Sequence, residues 1–244
     1  ACGDIGAGKL ANPDIIVEEV LTNLTKEQDL KGQSMIVTAG PTVESIDPVR
    51  YLTNRSSGKM GYSIAREAIA RGADVTLISG PTNLSIPQNL KKFVQIESAQ
   101  DLYEAVVSNL SENKIVIQSA AVADYKPKTY SDKKIKKKND DLSIELSRNY
   151  DIAYEIGKIK EDKILVGFAA ETNDLIEHAK GKIKKKNLDF IVANDLTKEG
   201  AGFRADTNIV KIIDVEGNIT EYPKMKKEEV ANVILDKVKA LLAK

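Results

Sequence analysis

The chain has 244 residues, 42% of them hydrophobic and 30% charged, and its 36 basic and 36 acidic residues cancel to a formal net charge of zero. That balance argues against a general nucleic-acid binder, and no apolar run approaches the roughly 18 residues a membrane helix needs. A single cysteine allows no internal disulfide, which fits a reducing, cytoplasmic setting.

Residues 13–23 have helical spacing through Ile15, Ile16, Val20 and Leu21, and Asn23 to Gly32 reads as polar linker. Met35 to Ala39 is a short apolar run expected to be the first central strand. It ends in Gly40-Pro41, and a loop follows that carries Arg50, Asn54, Arg55, Ser56, Ser57, Gly58 and Lys59. From Tyr62 to Arg71 the pattern puts Ile64, Ala65, Ala68 and Ile69 on one helical face, closed by Gly72.

Strands are expected at Ala73–Ser79, Lys92–Ile96, Lys114–Ala120, Ile164–Ala169 and Leu188–Ala193. Helices are expected at Ala99–Leu110 and Asp174–Lys186, the latter with Asp174 and Glu177 in capping-box spacing. This alternation predicts a Rossmann-like α/β fold with a mostly parallel, doubly wound sheet and helices on both faces. Two inserted hairpins break the rhythm. One spans residues 133–147, a basic run and an Asn139-Asp140 turn followed by alternating Leu142, Ile144 and Leu146; the other pairs Ile209–Asp214 with Ile219–Tyr222. The last helix, Lys227 to Leu242, is expected to bury Val230, Val233, Ile234, Val238 and Leu241.

Three familiar chemistries are disfavoured. Gly3 to Lys9 has the spacing of a phosphate-binding P-loop, but Leu10 stands where a Ser or Thr would hold Mg²⁺. No G-x-G-x-x-G follows the first strand, so an NAD-dependent reductase lacks its signature. The only histidine, His178, and the only cysteine, Cys2, make neither a zinc site nor a nucleophile–base pair. What remains is anion binding. The Arg50–Gly61 stretch offers fixed cations, amide donors and backbone N–H groups at a helix start, which suits a phosphate or carboxylate. Asp124 follows the end of the Lys114–Ala120 strand, where open α/β sheets bind ligands and where an aspartate can accept from a ribose or base donor or simply cap a turn. Lys133, Lys134, Lys136, Lys137 and Lys138 around Ile135 read as a solvated face or a lid over a nucleotide. Lys182 and Lys186 share one helical face.

Five segments carry a family resemblance, in order. They are Asp47–Gly61, Ser119–Tyr125, Lys134–Lys136, Val166–Thr172 and Val192–Asp195. Together they resemble phosphopantothenate–cysteine ligase from about Leu30 to the C-terminus. The resemblance implies ligation of 4′-phosphopantothenate to L-cysteine with CTP and Mg²⁺, through an acyl-cytidylate, in coenzyme A biosynthesis. It implies catalytic roles for Asn54, Arg50 and Lys134. Nucleotide binding is implied at Gln118, Ser119, Ala120, Asp124, Lys134, Asn149, Tyr150, Asp151, Ile152, Phe168, Lys182 and Lys186. Tyr150 departs from the family, where proline often follows that asparagine; contacts there are expected to be mostly through backbone.

Candidates for the substrate phosphate are Ser56, Ser57, Gly58 and Lys59, with the Ala201-Gly202-Phe203 loop. A homodimer is implied, with no dedicated protein metal site, no nucleic acid and no membrane. In many bacteria the ligase is fused behind a flavin-dependent decarboxylase, whose last segment Ala1-Cys2-Gly3-Asp4 resembles. Residues 1–31 are therefore expected to be the remnant of that domain plus linker, with 32–244 the ligase domain, FMN belonging only to the absent domain and Cys2 inert. The runner-up reading is a non-catalytic, nucleotide-sensing module that binds CTP without releasing pyrophosphate.

Overall fold

The computed structural model describes residues 13, 27–137, 141–171, 175–195 and 202–243. In chain order the first half holds β1 (Ser34–Ala39), β2 (Val43–Ser45), β3 (Tyr51–Thr53), α1 (Lys59–Ala70), β4 (Asp74–Ser79), β5 (Lys92–Gln95), α2 (Ala99–Leu110) and β6 (Ile115–Gln118). Then follow β7 (Tyr125–Pro127), β8 (Leu146–Arg148), α3 (Ile152–Ile159), β9 (Ile164–Glu171), α4 (Leu175–Lys186) and β10 (Phe190–Asp195). The chain closes with β11 (Thr207–Asn208), β12 (Val210–Asp214), β13 (Ile219–Glu221), β14 (Met225–Lys226) and α5 (Lys227–Leu242).

Eight strands form one sheet in the order β13-β12-β10-β9-β6-β1-β4-β5. The six from β10 to β5 are parallel, and β12 and β13 extend the sheet antiparallel. Met35 on β1 lies opposite Val75 of β4 and Ile115 of β6. Strands buried on both faces send alternate residues to opposite sides. Met35, Val37 and Ala39 point into a core with Tyr62, Ile64, Ala65 and Ala68 of α1 and Val230, Ile234 and Val238 of α5. Ile36 points into the second core with Leu102 and Val106 of α2, Ile152 and Ile156 of α3, and Ala179 and Ile183 of α4. The doubly wound architecture expected from the alternation is present.

From β1 the chain builds outward to β4 and β5, then crosses back to β6 on the other side of β1. The loops leaving β1 and β6 therefore part at one edge of the sheet, which makes the β1/β6 boundary the topological switch point. Close packing there requires a small residue at the start of α1. A Cβ on Gly61 would lie 2.6 Å from the Ala39 Cβ and 2.8 Å from the Thr38 carbonyl oxygen. Gly61→Ala is expected to cost about 1–3 kcal/mol, read as a fall in the urea midpoint at unchanged slope.

Several expectations need correction. The 133–147 hairpin is not formed as expected. Its paired strands are β7 and β8, with Tyr125 opposite Arg148, and Leu142 and Ile144 lie exposed outside any strand. Alternation misled because these apolar residues have no sheet face to cover in one chain. The segment read as linker is tied down over its described part: Leu30 is fully buried, and Asp29 pairs with Arg71 at 2.7 Å and with Lys239 at 2.9 Å. Val233 and Leu241 of α5 sit only half-buried at the core margin. α3 and the β2–β3 hairpin had no expectation at all. The helix over 13–23 and the Asp174 cap lie outside the described residues.

Candidate active site

A cleft of about 950 Å³ opens at the switch point. Its floor is made by the two parting loops, laced together by short bonds. The Ala120 amide donates to Thr38 Oγ1 (3.1 Å), the Ala121 amide to the Gly40 carbonyl (2.9 Å) and the Thr42 amide to the Ala121 carbonyl (3.1 Å). Asn54, just past β3, donates Nδ2 to the same Ala121 carbonyl at 3.0 Å. Thus the amide of Asn54 is held against the floor by the loop after β6.

One end of the cleft belongs to α1. Gly58 is its N-cap, in the left-handed region at φ 78°, with no side-chain cap and no acidic residue in the first turn. The first-turn N–H groups of an uncapped helix favour an anion. Gly58, Lys59, Met60 and Gly61 all line the cleft. Lys59 Nζ reaches the Arg204 carbonyl (3.0 Å) and Asp206 Oδ1 (2.5 Å), whose carboxyl it holds below the ordinary range. Ser57 does not line the cleft; its hydroxyl donates to the Phe203 carbonyl.

Lys227, the first residue of α5, is 3% exposed and also lines this end. Its ammonium donates to the carbonyls of Gly202 (3.5 Å), Phe203 (3.3 Å) and Ala205. Burial, with the neighbouring Lys59 charge, lowers its pKa to about 8, while Asp206 and Glu228 oppose the shift. The unfolded chain therefore binds a proton that the folded one has released between about pH 8 and the ordinary 10.5. Stability rises with pH through that window, and below it the cost of the buried charge is fully present. Lys227→Met is expected to lose that rise, which urea titrations at pH 7.5 and pH 10 measure. Sequence reasoning overlooked Lys227. The available signal was a cation opening a helix, where the helix dipole disfavours it.

The other end of the cleft is lined from the opposite face of the sheet by Lys182, Lys185 and Lys186 of α4. Lys186 pairs at 2.9 Å with Asp151, whose carboxylate also caps α3 through the Tyr154 amide at 3.2 Å. The Asp151 side chain thus ties α4 to the start of α3. Asn149 Nδ2 donates to the Ala123 carbonyl at 2.9 Å. Tyr150 is 56% exposed, with its ring 6.1 Å from that of Tyr103 and under Lys126 Nζ at 5.9 Å. Gln118, Ser119, Ala120, Asp124 and Ile152 line the same stretch, and so does Phe168, which is also half-buried against the first core. Gln118 Nε2 is buried without a hydrogen-bond partner beside this wall.

Two residues expected to be catalytic lie elsewhere. Arg50 and Lys134 do not line the cleft. Arg50 is engaged by Asp47, with Nε at 3.1 Å and Nη2 at 2.6 Å from Oδ2. Arg50's hydrogen bonds hold the Asp47 carboxyl well below the usual range, assisted by backbone N–H groups. Lys134 is exposed on the loop beyond.

Residues 30–242 match the model of the DNA/pantothenate metabolism flavoprotein C-terminal domain. The chain belongs to that family. The coenzyme A biosynthesis bifunctional protein CoaBC of Bacillus subtilis (strain 168) is 48% identical over 243 residues, which is 99% of this chain and 60% of that protein. The chain thus spans about 60% of the length of this curated relative. A crystal structure of the C-terminal domain of a CoaBC protein superposes with TM-score 0.77 at 43% identity, covering 89% of this chain and 99% of that one. A Cab2 mutant in complex with phosphopantothenate-cysteine shares the fold, with TM-score 0.71 at 14% identity over 96% of each chain. For a member of this flavoprotein C-terminal domain family, the switch-point cleft is the feature that the fold, the lysines and the laced loops jointly build. Among the described residues no helix is long and apolar enough to cross a membrane, and no group of three His, Cys, Asp or Glu could hold a metal.

Proposed function

We propose that this domain joins 4′-phosphopantothenate to L-cysteine at the expense of CTP, giving phosphopantothenoylcysteine, CMP and pyrophosphate. The observation that carries the reading is one cleft with two cationic ends on opposite faces of the sheet, Lys59 and Lys227 at one and Lys182, Lys185 and Lys186 at the other. Such a cleft suits two anionic reactants, a phosphate monoester and a nucleoside triphosphate, with their reacting centres meeting between. The kinship with CoaBC proteins and the phosphopantothenate-cysteine complex of the Cab2 mutant support the same substrates.

In the first step a substrate carboxylate oxygen bonds the α-phosphorus and the bond to pyrophosphate breaks. In the second, the cysteine amine adds to the acyl carbonyl, loses a proton, and CMP leaves. A carboxylate is already nucleophilic, so positioning and charge neutralisation suffice. Lys182 and Lys186 hold the triphosphate, and Asn54 steadies the acyl oxygen as the amine attacks. Lys134 and Arg50 do not line the cleft; their roles, on the departing pyrophosphate and in the second step, rest on the family resemblance alone. The uncapped α1 start with Ser56, Gly58 and Lys59 receives the substrate phosphate. Mg²⁺ would be carried mainly on phosphate oxygens and water, where it would neutralise charge on the leaving group.

The deciding experiment is pyrophosphate release from CTP with 4′-phosphopantothenate, with and without L-cysteine and with ATP in parallel. Release that turns over steadily only with cysteine supports the ligase. CTP binding without release from any nucleotide would replace it by a nucleotide-sensing module.

A homodimer belongs to the same proposal. Val49, Tyr51, Tyr130, Leu142, Ile144 and Leu146 are exposed on or beside the β2–β3 and β7–β8 hairpins, apolar surface that a second copy would cover. The pair Leu142→Lys with Ile144→Lys is expected to give monomers in analytical ultracentrifugation where the unmodified chain gives dimers.

A further inference from the structure

Resting on the ligase reading above, we propose that Asp47 is a positioning residue for both half-reactions, because its one carboxylate fixes Arg50 and the lysine loop to each other. Asp47 lies in the turn between β2 and β3, is 2% exposed, and has both oxygens occupied. Oδ1 accepts from the amides of Val49 and Arg50, each at 2.9 Å, which shapes the turn. Oδ2 accepts from the Arg50 guanidinium and, at 3.0 Å, from the amide of Ile135. Arg50 Nη2 then donates to the Ile135 carbonyl at 2.9 Å. The ion pair therefore grips both backbone groups of one residue in a distant loop.

A second tie lies four residues earlier, where the Ser131 amide donates to the Ile46 carbonyl at 3.1 Å. The Ser131 hydroxyl also donates to the Lys133 carbonyl at 2.7 Å. Lys134 stands between these anchors, next to the residue the clasp holds, with its side chain exposed. The same turn leads through β3 to Asn54, four residues from Arg50 and about 13 Å along an extended strand. The hairpin thus has Asn54 in the cleft at one end and the clasp at the other. A basic loop strapped in this way is displayed at a set place, which a transition-state cation needs more than reach.

The test compares the whole chain with Asp47→Asn, which keeps the shape but sets a donor against the N–H groups the carboxylate accepts from, and with Ile135→Pro, which removes the gripped N–H and stiffens the backbone at 134–135. Hydrogen exchange over residues 131–137 reads the clasp directly. A single-turnover pyrophosphate burst reads the first step, and decay of preformed acyl-nucleotide on adding cysteine reads the second. Asp47→Asn is expected to speed exchange and slow both steps by roughly 10- to 100-fold, with the KM for CTP within about threefold. Ile135→Pro is expected to slow only the first. Unchanged exchange in Asp47→Asn would overturn the proposal, as would faster exchange with both steps intact or a loss that lies wholly in KM. No pyrophosphate from the unmodified chain would instead overturn the ligase reading itself.

Discussion

Asn54→Asp is expected to release about one equivalent of pyrophosphate per site and then stop. In the structure Asn54 Nδ2 donates to the Ala121 carbonyl at 3.0 Å. A carboxylate there would set oxygen against oxygen, and ionised it could not donate to the acyl oxygen as charge develops on it. Loss of one such donor typically costs about 10²- to 10³-fold in rate. The first step does not use that donor, so the acyl-nucleotide should accumulate. Quenched-flow assays that follow pyrophosphate and CMP separately would show the burst without the second product. Equal loss of both products would remove Asn54 from the second step.

Replacing Lys182 and Lys186 together by Gln is expected to raise the KM for CTP by about 100-fold or more, while the KM for 4′-phosphopantothenate stays within a few-fold. Each charge-assisted contact to phosphate contributes about 1.5–3 kcal/mol, and a tenfold change is about 1.4 kcal/mol. The asymmetry between the substrates is the informative part, because these lysines stand on the α4 side and the proposed phosphate-monoester site on the α1 side. The Asp151 carboxylate would lose its Lys186 partner but keep its cap on α3 through the Tyr154 amide. A thermal melt would check that the pair still folds. Equal changes in both KM values would place the lysines outside the nucleotide site.

Much of this was legible in the sequence because burial on both faces leaves a strong mark. Runs such as Met35–Ala39 and Ile115–Gln118 have few polar residues, and the helices between them repeat apolar residues at helical spacing, so the doubly wound sheet followed. α2 and α5 run over the residues expected. The losses share a cause. β2, β3, β7 and β8 are three residues each and stand outside the main sheet, too short for a two-residue period to show. α3 is eight residues long and opens at Asp151, which the family resemblance marks only as a nucleotide contact. Asp47 was in view at the start of the Asp47–Gly61 stretch, yet nothing local reveals that its carboxylate reaches Ile135, 88 residues away. Lys227 likewise depends on a loop that only the fold brings to it.

The division of the cleft between two faces of the sheet bears on what happens once the reactants are joined. In the proposed ligase reaction an acyl-nucleotide would carry the substrate phosphate and the nucleotide's α-phosphate on one skeleton and be held like a ligand with two linked heads. When one head lets go, the other keeps it near its site at high effective concentration, so escape requires both to open together. Its residence time should far exceed that of either free reactant. The reactive anhydride would then survive gel filtration on the protein, where CTP and 4′-phosphopantothenate, each gripped from one side, would wash away.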